Sequence, residues 1–338
     1  VGKTEIAWTD WTWSPIVGCR RVSPGCEHCY AERLAATRLS GLDKYRGMSD
    51  FTFGSPRWTG QIRLVEKELE APLRWRKPRK IFVCDMGDLF YEEVPDEWID
   101  RVFAVMALAP WHTFQVLTKR AARMREYLSH PARGTSGGAI WYAAEKLRPS
   151  PSPNHWYHAP RGFSWPLPNV WIGVSVEDQQ RADSRIPLLL QTSAAVRFIS
   201  AEPLLGPIQL TGICSVPACF NALLPGRYPR LDWIIAGGES GPGARPCDLS
   251  WIRSIVEQCR EARVPAFVKQ LGAFPVTPNA TDGLARVVQR GVPAYRSALA
   301  LRDRKGGDPA EWPEDLRVRE FLRQPGPTSQ RDERAEAR

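Results

Sequence analysis

The sequence predicts an α/β fold: a partial or full parallel β/α barrel with long loop insertions and a disordered C-terminal tail. Three observations predict it. Short, nearly continuous apolar runs alternate with amphipathic stretches along most of the 338 residues, and strands of that kind suit a parallel sheet covered on both faces. The chain is 43% hydrophobic and 25% charged, a globular balance at a length that can bury a sizeable core. No run approaches the ~20 apolar residues that a membrane span needs. The first thirty residues carry Asp10, Arg20, Arg21 and Glu27, so no secretory leader is legible. The expectation is a cytoplasmic protein without a membrane partner.

Taken in order, a first strand is expected between Glu5 and Trp13, followed by Lys80–Cys84, Thr113–Leu117, Val170–Val176, Val196–Ala201, Leu231–Ala236 and Ala266–Lys269. Each is short, rich in Val, Ile, Phe or Trp, and followed by a polar turn. Helices fit between them. Asp96 is placed to cap Glu97–Leu108, whose Ile99, Val102, Phe103 and Met106 share a face. Lys119–Leu128 reads as the next helix, and Asp178–Gln191 as another, bent or ended near Pro187. Asp248 or Ser250 can cap a helix carrying Trp251, Ile252, Ile255, Val256 and Cys259. Repeated β–α units favour a barrel over a sandwich or a bundle.

Two segments break this rhythm. Residues 130–168 are rich in Pro, Ser and Gly and hold Trp141, Tyr142, Trp156, Tyr157 and Trp165. They read as a long excursion such as a lid or substrate loop. Residues 212–229, with Cys214 and Cys219, read as a shorter one. A barrel domain is thus expected over 1–272, an extension over 273–324, and a disordered tail over the charged residues 325–338.

The net charge of +9 fits a solvated basic surface as well as attraction to nucleic acid or another polyanion. Fourteen tryptophans suggest aromatic surfaces as well as core. Eight cysteines without a legible leader argue for a reducing compartment, where cysteine clusters bind metal or do redox chemistry more often than they form disulfides. The sharpest motif is Cys19, Cys26 and Cys29, spaced C-x6-C-x2-C on a loop made pliable by Gly18, Pro24 and Gly25. Three thiols so close can wrap a metal or cluster without long-range closure cost. On spacing alone three readings compete. One is a [4Fe–4S] cluster with one open iron. Another is a zinc site whose fourth ligand lies elsewhere, with Cys214 and Cys219 as candidates. The third is three unrelated thiols. No G-x-S-x-G, H-E-x-x-H or phosphate-loop motif points to other chemistry.

Several blocks accompany the cysteines: Trp8-Thr9-Asp10-Trp11-Thr12-Trp13-Ser14-Pro15 before them, then Asp85-Met86-Gly87-Asp88-Leu89-Phe90, Gln115 to Arg120, Gly173 to Asp178, Ser200-Ala201-Glu202-Pro203-Leu204, Gly237-Gly238-Glu239-Ser240-Gly241 and Val268-Lys269-Gln270. Together, over about residues 3–272, they resemble an uncharacterised phage-associated family with a three-cysteine motif that is similar to radical S-adenosylmethionine (SAM) proteins. The cysteine spacing departs from the commonest C-x3-C-x2-C of those proteins. The resemblance implies a TIM-barrel-like partial barrel with the cluster at its C-terminal mouth and SAM on the open iron. One electron then cleaves the sulfonium, giving a 5′-deoxyadenosyl radical that abstracts hydrogen from substrate. The cofactor carries such chemistry, while the protein orients it and excludes water.

The remaining blocks follow strands, where a barrel's catalytic mouth lies. Asp85 and Asp88 are candidates for the SAM ammonium, Ser175 and Glu177 for ribose hydroxyls, and Asp178 for a helix cap. Gly237 and Gly238 can let the backbone approach adenine or methionine, and Glu239 beside them is a further cofactor-binding candidate. His28 or Tyr30 can touch adenine. Glu202, Lys119 and Lys269 are the candidate catalytic residues. The function expected is a radical-SAM-like iron–sulfur enzyme acting on nucleic acid or a nucleotide derivative. Its expected partners are an electron donor such as a flavodoxin or ferredoxin and a three-cysteine-motif partner protein. The alternative is a zinc-stabilised nucleic-acid-binding protein without catalysis.

Overall fold

The computed structural model describes residues 1–52, 54–130, 138–147, 164–277 and 297–322. Most of the 130–168 excursion and the whole of the expected tail lie outside the described residues. The main sheet has eight strands: β1 (Gly2–Lys3), β2 (Trp11–Trp13), β3 (Lys80–Val83), β4 (Thr113–Thr118), β5 (Val170–Ser175), β6 (Val196–Ala201), β7 (Trp233–Gly237) and β8 (Ala266–Gln270). They lie side by side in chain order. Strand β1 is antiparallel to β2, and every later pair is parallel.

Parallel neighbours require crossovers. The longer helices are α1 (Tyr30–Ala36), α2 (Asp96–Leu108), α3 (Ala121–Leu128), α4 (Ala139–Leu147), α5 (Gln179–Leu190) and α6 (Leu249–Ala262). Helix α2 joins β3 to β4, α5 joins β5 to β6, and α6 joins β7 to β8. The expected strands are all present, with ends displaced by two residues at most. Two helix details differ from expectation. Asp96 is the first residue of α2, after Pro95, and not its cap. Pro187 sits inside α5, which runs on to Leu190. Asp178 and Asp248 do cap α5 and α6, accepting from the backbone N–H of Arg181 and Ser250.

Side chains alternate across the sheet, as the two-residue period of a strand requires. Ile81, Val83, Phe114, Val116, Ile172, Val174, Ile199, Ile234 and Val268 join the helix-covered core. Trp171, Phe198, Trp233 and Phe267 point the other way and meet Trp8 and Phe82 in a second cluster. The Trp8 ring lies 4.9 Å from Phe82 on β3 and 6.4 Å from Trp233 on β7. In a flat sheet four strand spacings would put β3 and β7 about 19 Å apart. The sheet is therefore curled around Trp8. Tryptophan is largely drawn here and against the main core: none is exposed among the described residues, although several are only partly buried. The described part of the extension packs on this body. Val318 O accepts from the Val268 N–H, Arg319 bridges to Phe267, and Trp312 and Leu316 are buried in the main core.

Candidate functional site

The loop carrying Cys19, Cys26 and Cys29 crosses the carboxyl ends of the parallel strands. It leaves β2 through Gly18, whose N–H donates to Met86 O at 3.1 Å. Gly18 has φ +95°, and a Cβ there would stand 2.1 Å from the Gln61 carbonyl oxygen, so no other residue fits. A single turn, Pro24–Cys26, precedes α1.

Side chains from several strand ends grip this loop. Glu177, past β5, is fully buried. One of its oxygens accepts from Arg185 of α5 at 2.8 Å, and the other from the Gly25 N–H at 3.3 Å. Burial works against its charge, but Arg185, the Ser23 hydroxyl and that N–H together hold the carboxyl below the usual range. Glu239, past β7, makes a second grip. It meets His28 Nδ1 at 2.9 Å, accepts the Arg245 backbone N–H at 2.9 Å, and accepts that guanidinium at 2.9 and 2.6 Å. Here too the donors outweigh burial and lower the carboxyl. Arg245 continues to Pro24 O at 2.9 Å. Past β4, Arg120 donates to Arg20 O at 2.6 Å.

The three thiols are half-buried and close enough to feel one another's charge. Burial raises Cys19 and Cys29, and Lys119 partly offsets this at Cys29. A bound metal would reverse that balance, since coordination holds the thiolate. Among the described residues no group of three or more His, Cys, Asp or Glu is arranged to hold a metal ion. Cys214 and Cys219 are joined to each other as a disulfide across a hairpin, so neither serves as the fourth zinc ligand that the sequence allowed. The sequence favoured metal or redox roles over disulfides for its cysteines, and this pair is a disulfide.

Inside the curl, the strand ends present a polar recess. Tyr30 is 44% exposed yet feels Asp85, Cys29 and Glu202, so it lines a concave opening. Its hydroxyl donates to Asp85 O at 2.9 Å. The Asp85 carboxyl accepts from Ser14 at 2.5 Å, and burial raises it above the ordinary carboxylate range despite that bond. Glu202 accepts from Lys269 at 2.6 Å and from Gln270 at 3.0 Å. The Lys119 amine lies close enough to Cys29 and Glu177 to shift both. Ser175 is buried, and its carbonyl takes a bond from Arg185. A groove of about 520 Å³ opens outside the recess, lined by Arg20, Gln61, Arg63 and Tyr91 among others.

Cys29, Tyr30, Asp85, Lys119, Glu177 and Glu202 thus stand together. Other expected contacts have different work in this structure. The Asp88 carboxyl accepts from Thr118 at 2.7 Å, Phe90 N–H at 3.0 Å and Lys119 N–H at 3.1 Å, which pins the end of β4. A Cβ on Gly238 would stand 2.2 Å from Leu271 O, and one on Gly237 would stand 3.1 Å from Gln270 O. Their close approach is to the neighbouring strand. Glu177 and Glu239 hold the cysteine loop. Sequence reading missed Ser14, Arg185 and Arg245. Ser14 was quoted only within a Trp-rich block, and a buried arginine in a helix or turn has no local signature.

The fold and this site place the chain among α/β proteins that build on the carboxyl ends of a parallel sheet. The chain belongs to the family described as Protein of unknown function (DUF5131), which matches residues 3–306. No curated protein and no solved structure matches it.

Proposed function

We propose that the protein is a radical-SAM-like iron–sulfur enzyme whose curled sheet acts as a partial β/α barrel. The observation that carries this reading is the position of the cysteine loop. Three half-buried thiols from one loop stand over the strand ends, beside a recess lined by Tyr30, Asp85 and Glu202. Three cysteines on one loop are the donor type that a [4Fe–4S] cluster with one iron open for SAM would need. When bound, the cluster supplies the electron that releases a 5′-deoxyadenosyl radical from SAM.

The chain's own residues have the following work. Glu177 and Glu239 fix the loop from two strand ends. Asp85, oriented by Ser14, presents a carboxylate to the SAM ammonium. His28, held by Glu239 through Nδ1, turns its other nitrogen toward the adenine. Glu202 and Lys269, paired at 2.6 Å, face the substrate. Lys119, whose amine makes no hydrogen bond or ion pair among the described residues, meets an anionic group. That favours nucleic acid or a nucleotide derivative as substrate. An electron donor of the flavodoxin or ferredoxin class has access at the outer groove beside Cys19, and a three-cysteine-motif protein is the partner to seek.

The test is anaerobic reconstitution followed by iron, sulfide and 5′-deoxyadenosine assays on the wild type and Cys26→Ala. About four irons per chain, deoxyadenosine formed only with SAM and reductant, and loss of both in the variant are expected. Stoichiometric zinc with no cluster would refute the proposal and leave the zinc-stabilised binding protein.

A further inference from the structure

The run Arg74-Trp75-Arg76-Lys77-Pro78-Arg79-Lys80 carries five cations in seven residues. It leads into β3 and so lies at the amino ends of the parallel strands, opposite the cysteine loop. Arg74, Arg76 and Lys77 are exposed. None of their side chains has a hydrogen bond or ion pair among the described residues. Among the nearby acids, Glu66 pairs with Arg101 and Glu68 with Lys44, the Asp10 carboxyl accepts the Lys80 backbone N–H, and the exposed Glu70 lies near Arg101.

The segment that presents these cations is held firmly. The Arg79 guanidinium lies 3.8 Å from the centre of the Trp11 ring and 4.7 Å from that of Trp75. Trp11 and Trp75 also contact each other at 5.2 Å. Trp75 O accepts from Trp111 Nε1 at 2.9 Å, and the Lys80 amine lies 4.1 Å from the centre of the Phe321 ring. Cation–π stacking therefore ties the run to the sheet through Arg79 and Lys80. Arg74, Arg76 and Lys77 stay free to meet an external anion from a fixed backbone.

We propose that this rim is a nucleic-acid-binding surface that engages the phosphate backbone without reading sequence. Like charges clustered without acid partners repel one another, and a polyanion relieves that repulsion while releasing its own counterions. The surface lacks the broad apolar centre of a protein interface: Arg79 stacks on Trp11 and Trp75, and Phe321, partly exposed, carries Lys80 over its ring and packs against Phe267. The groups left without partners on this rim are cations, so the contact is with phosphate. This surface is independent of the radical-SAM reading and needs no metal.

The test uses the full chain and a fluorescein-labelled 20-nucleotide DNA, single- and double-stranded, in anisotropy titrations from 50 to 200 mM salt. The variant Arg74→Ala/Arg76→Ala/Lys77→Ala removes three exposed side chains, and its circular dichroism melt checks the fold. The control Arg33→Ala/Arg38→Ala/Arg57→Ala removes three exposed cations on the cysteine-loop side. The rim variant is expected to bind at least tenfold more weakly at 100 mM salt, with the slope of log K against log salt smaller by about 2–3. The control is expected to change affinity less than threefold. Unchanged binding by the rim variant overturns the proposal, as does an equal or larger loss in the control, which would put the polyanion at the mouth. Rim-dependent binding to phosphatidylserine vesicles without binding to DNA overturns it in favour of a membrane surface. Because the assay uses protein without cluster or SAM, its outcome is separate from that of the reconstitution.

Discussion

Glu177→Gln tests the central structural claim, that a buried ion pair anchors the cysteine loop to the sheet. Glu177 is fully buried and Arg185 is 7% exposed, with the charged atoms 2.8 Å apart. The variant keeps the shape and one acceptor for the Gly25 N–H, but leaves the Arg185 charge with only the Ser175 carbonyl at 2.7 Å. Removing one partner of such a pair costs about 3–5 kcal/mol, because the remaining charge is buried without compensation. With about 2.1 cal/mol/K of unfolding entropy per residue, the 338-residue chain should lose about 4–7 °C in Tm. The assay is thermal and urea unfolding followed by circular dichroism, with limited trypsin digestion at Arg20 and Arg21 reporting on the loop. Digestion should quicken more than the global loss of stability accounts for. The double variant Glu177→Gln/Arg185→Met removes the stranded charge and should recover most of the loss. A Tm change below about 1 °C, or a double variant no more stable than the single one, would refute the anchoring argument.

Two further predictions concern the body of the fold. His112 is buried beside Trp75, Trp111 and Phe114; Pro72 O accepts from its Nε2, and its Nδ1 has no partner. Burial, together with the Arg79 charge, lowers its pKa to about 4. The unfolded chain takes up this proton near pH 6.5, before the folded one does. Stability should therefore be full above pH 6.5 and fall by roughly 3 kcal/mol as the pH drops to about 4. Urea midpoints across that range should show a slope that His112→Gln flattens. Gly173→Ala would place a methyl 2.6–2.8 Å from the Phe198 ring, which Trp8 and Trp233 hold in place. It should cost about 1–3 kcal/mol, and Gly173→Ala/Phe198→Leu should be more stable than the two single changes sum to.

The strands and their parallel arrangement were legible because a strand buried on both faces must be apolar nearly throughout, as in Val170–Ser175 and Trp233–Gly237. The cysteine loop was legible because its ligand-type residues lie within eleven positions. Placing the acids after strands was also a matter of local order. What each acid does was decided only when distant segments met. Asp88, Glu177 and Glu239 all follow strands, yet the first pins a neighbouring strand and the other two clasp a loop more than 140 residues earlier in the chain. Their partners are an N–H at Gly25, an arginine inside a helix and an arginine past a glycine-rich turn. No periodicity or spacing in the chain couples those positions. The tryptophans teach the same lesson: their number is plain in the composition, but only the curling of the sheet decides that Trp8 touches both β3 and β7. Short-range order follows from which residues are neighbours along the backbone, whereas a carboxylate's role depends on the charge that folding places beside it.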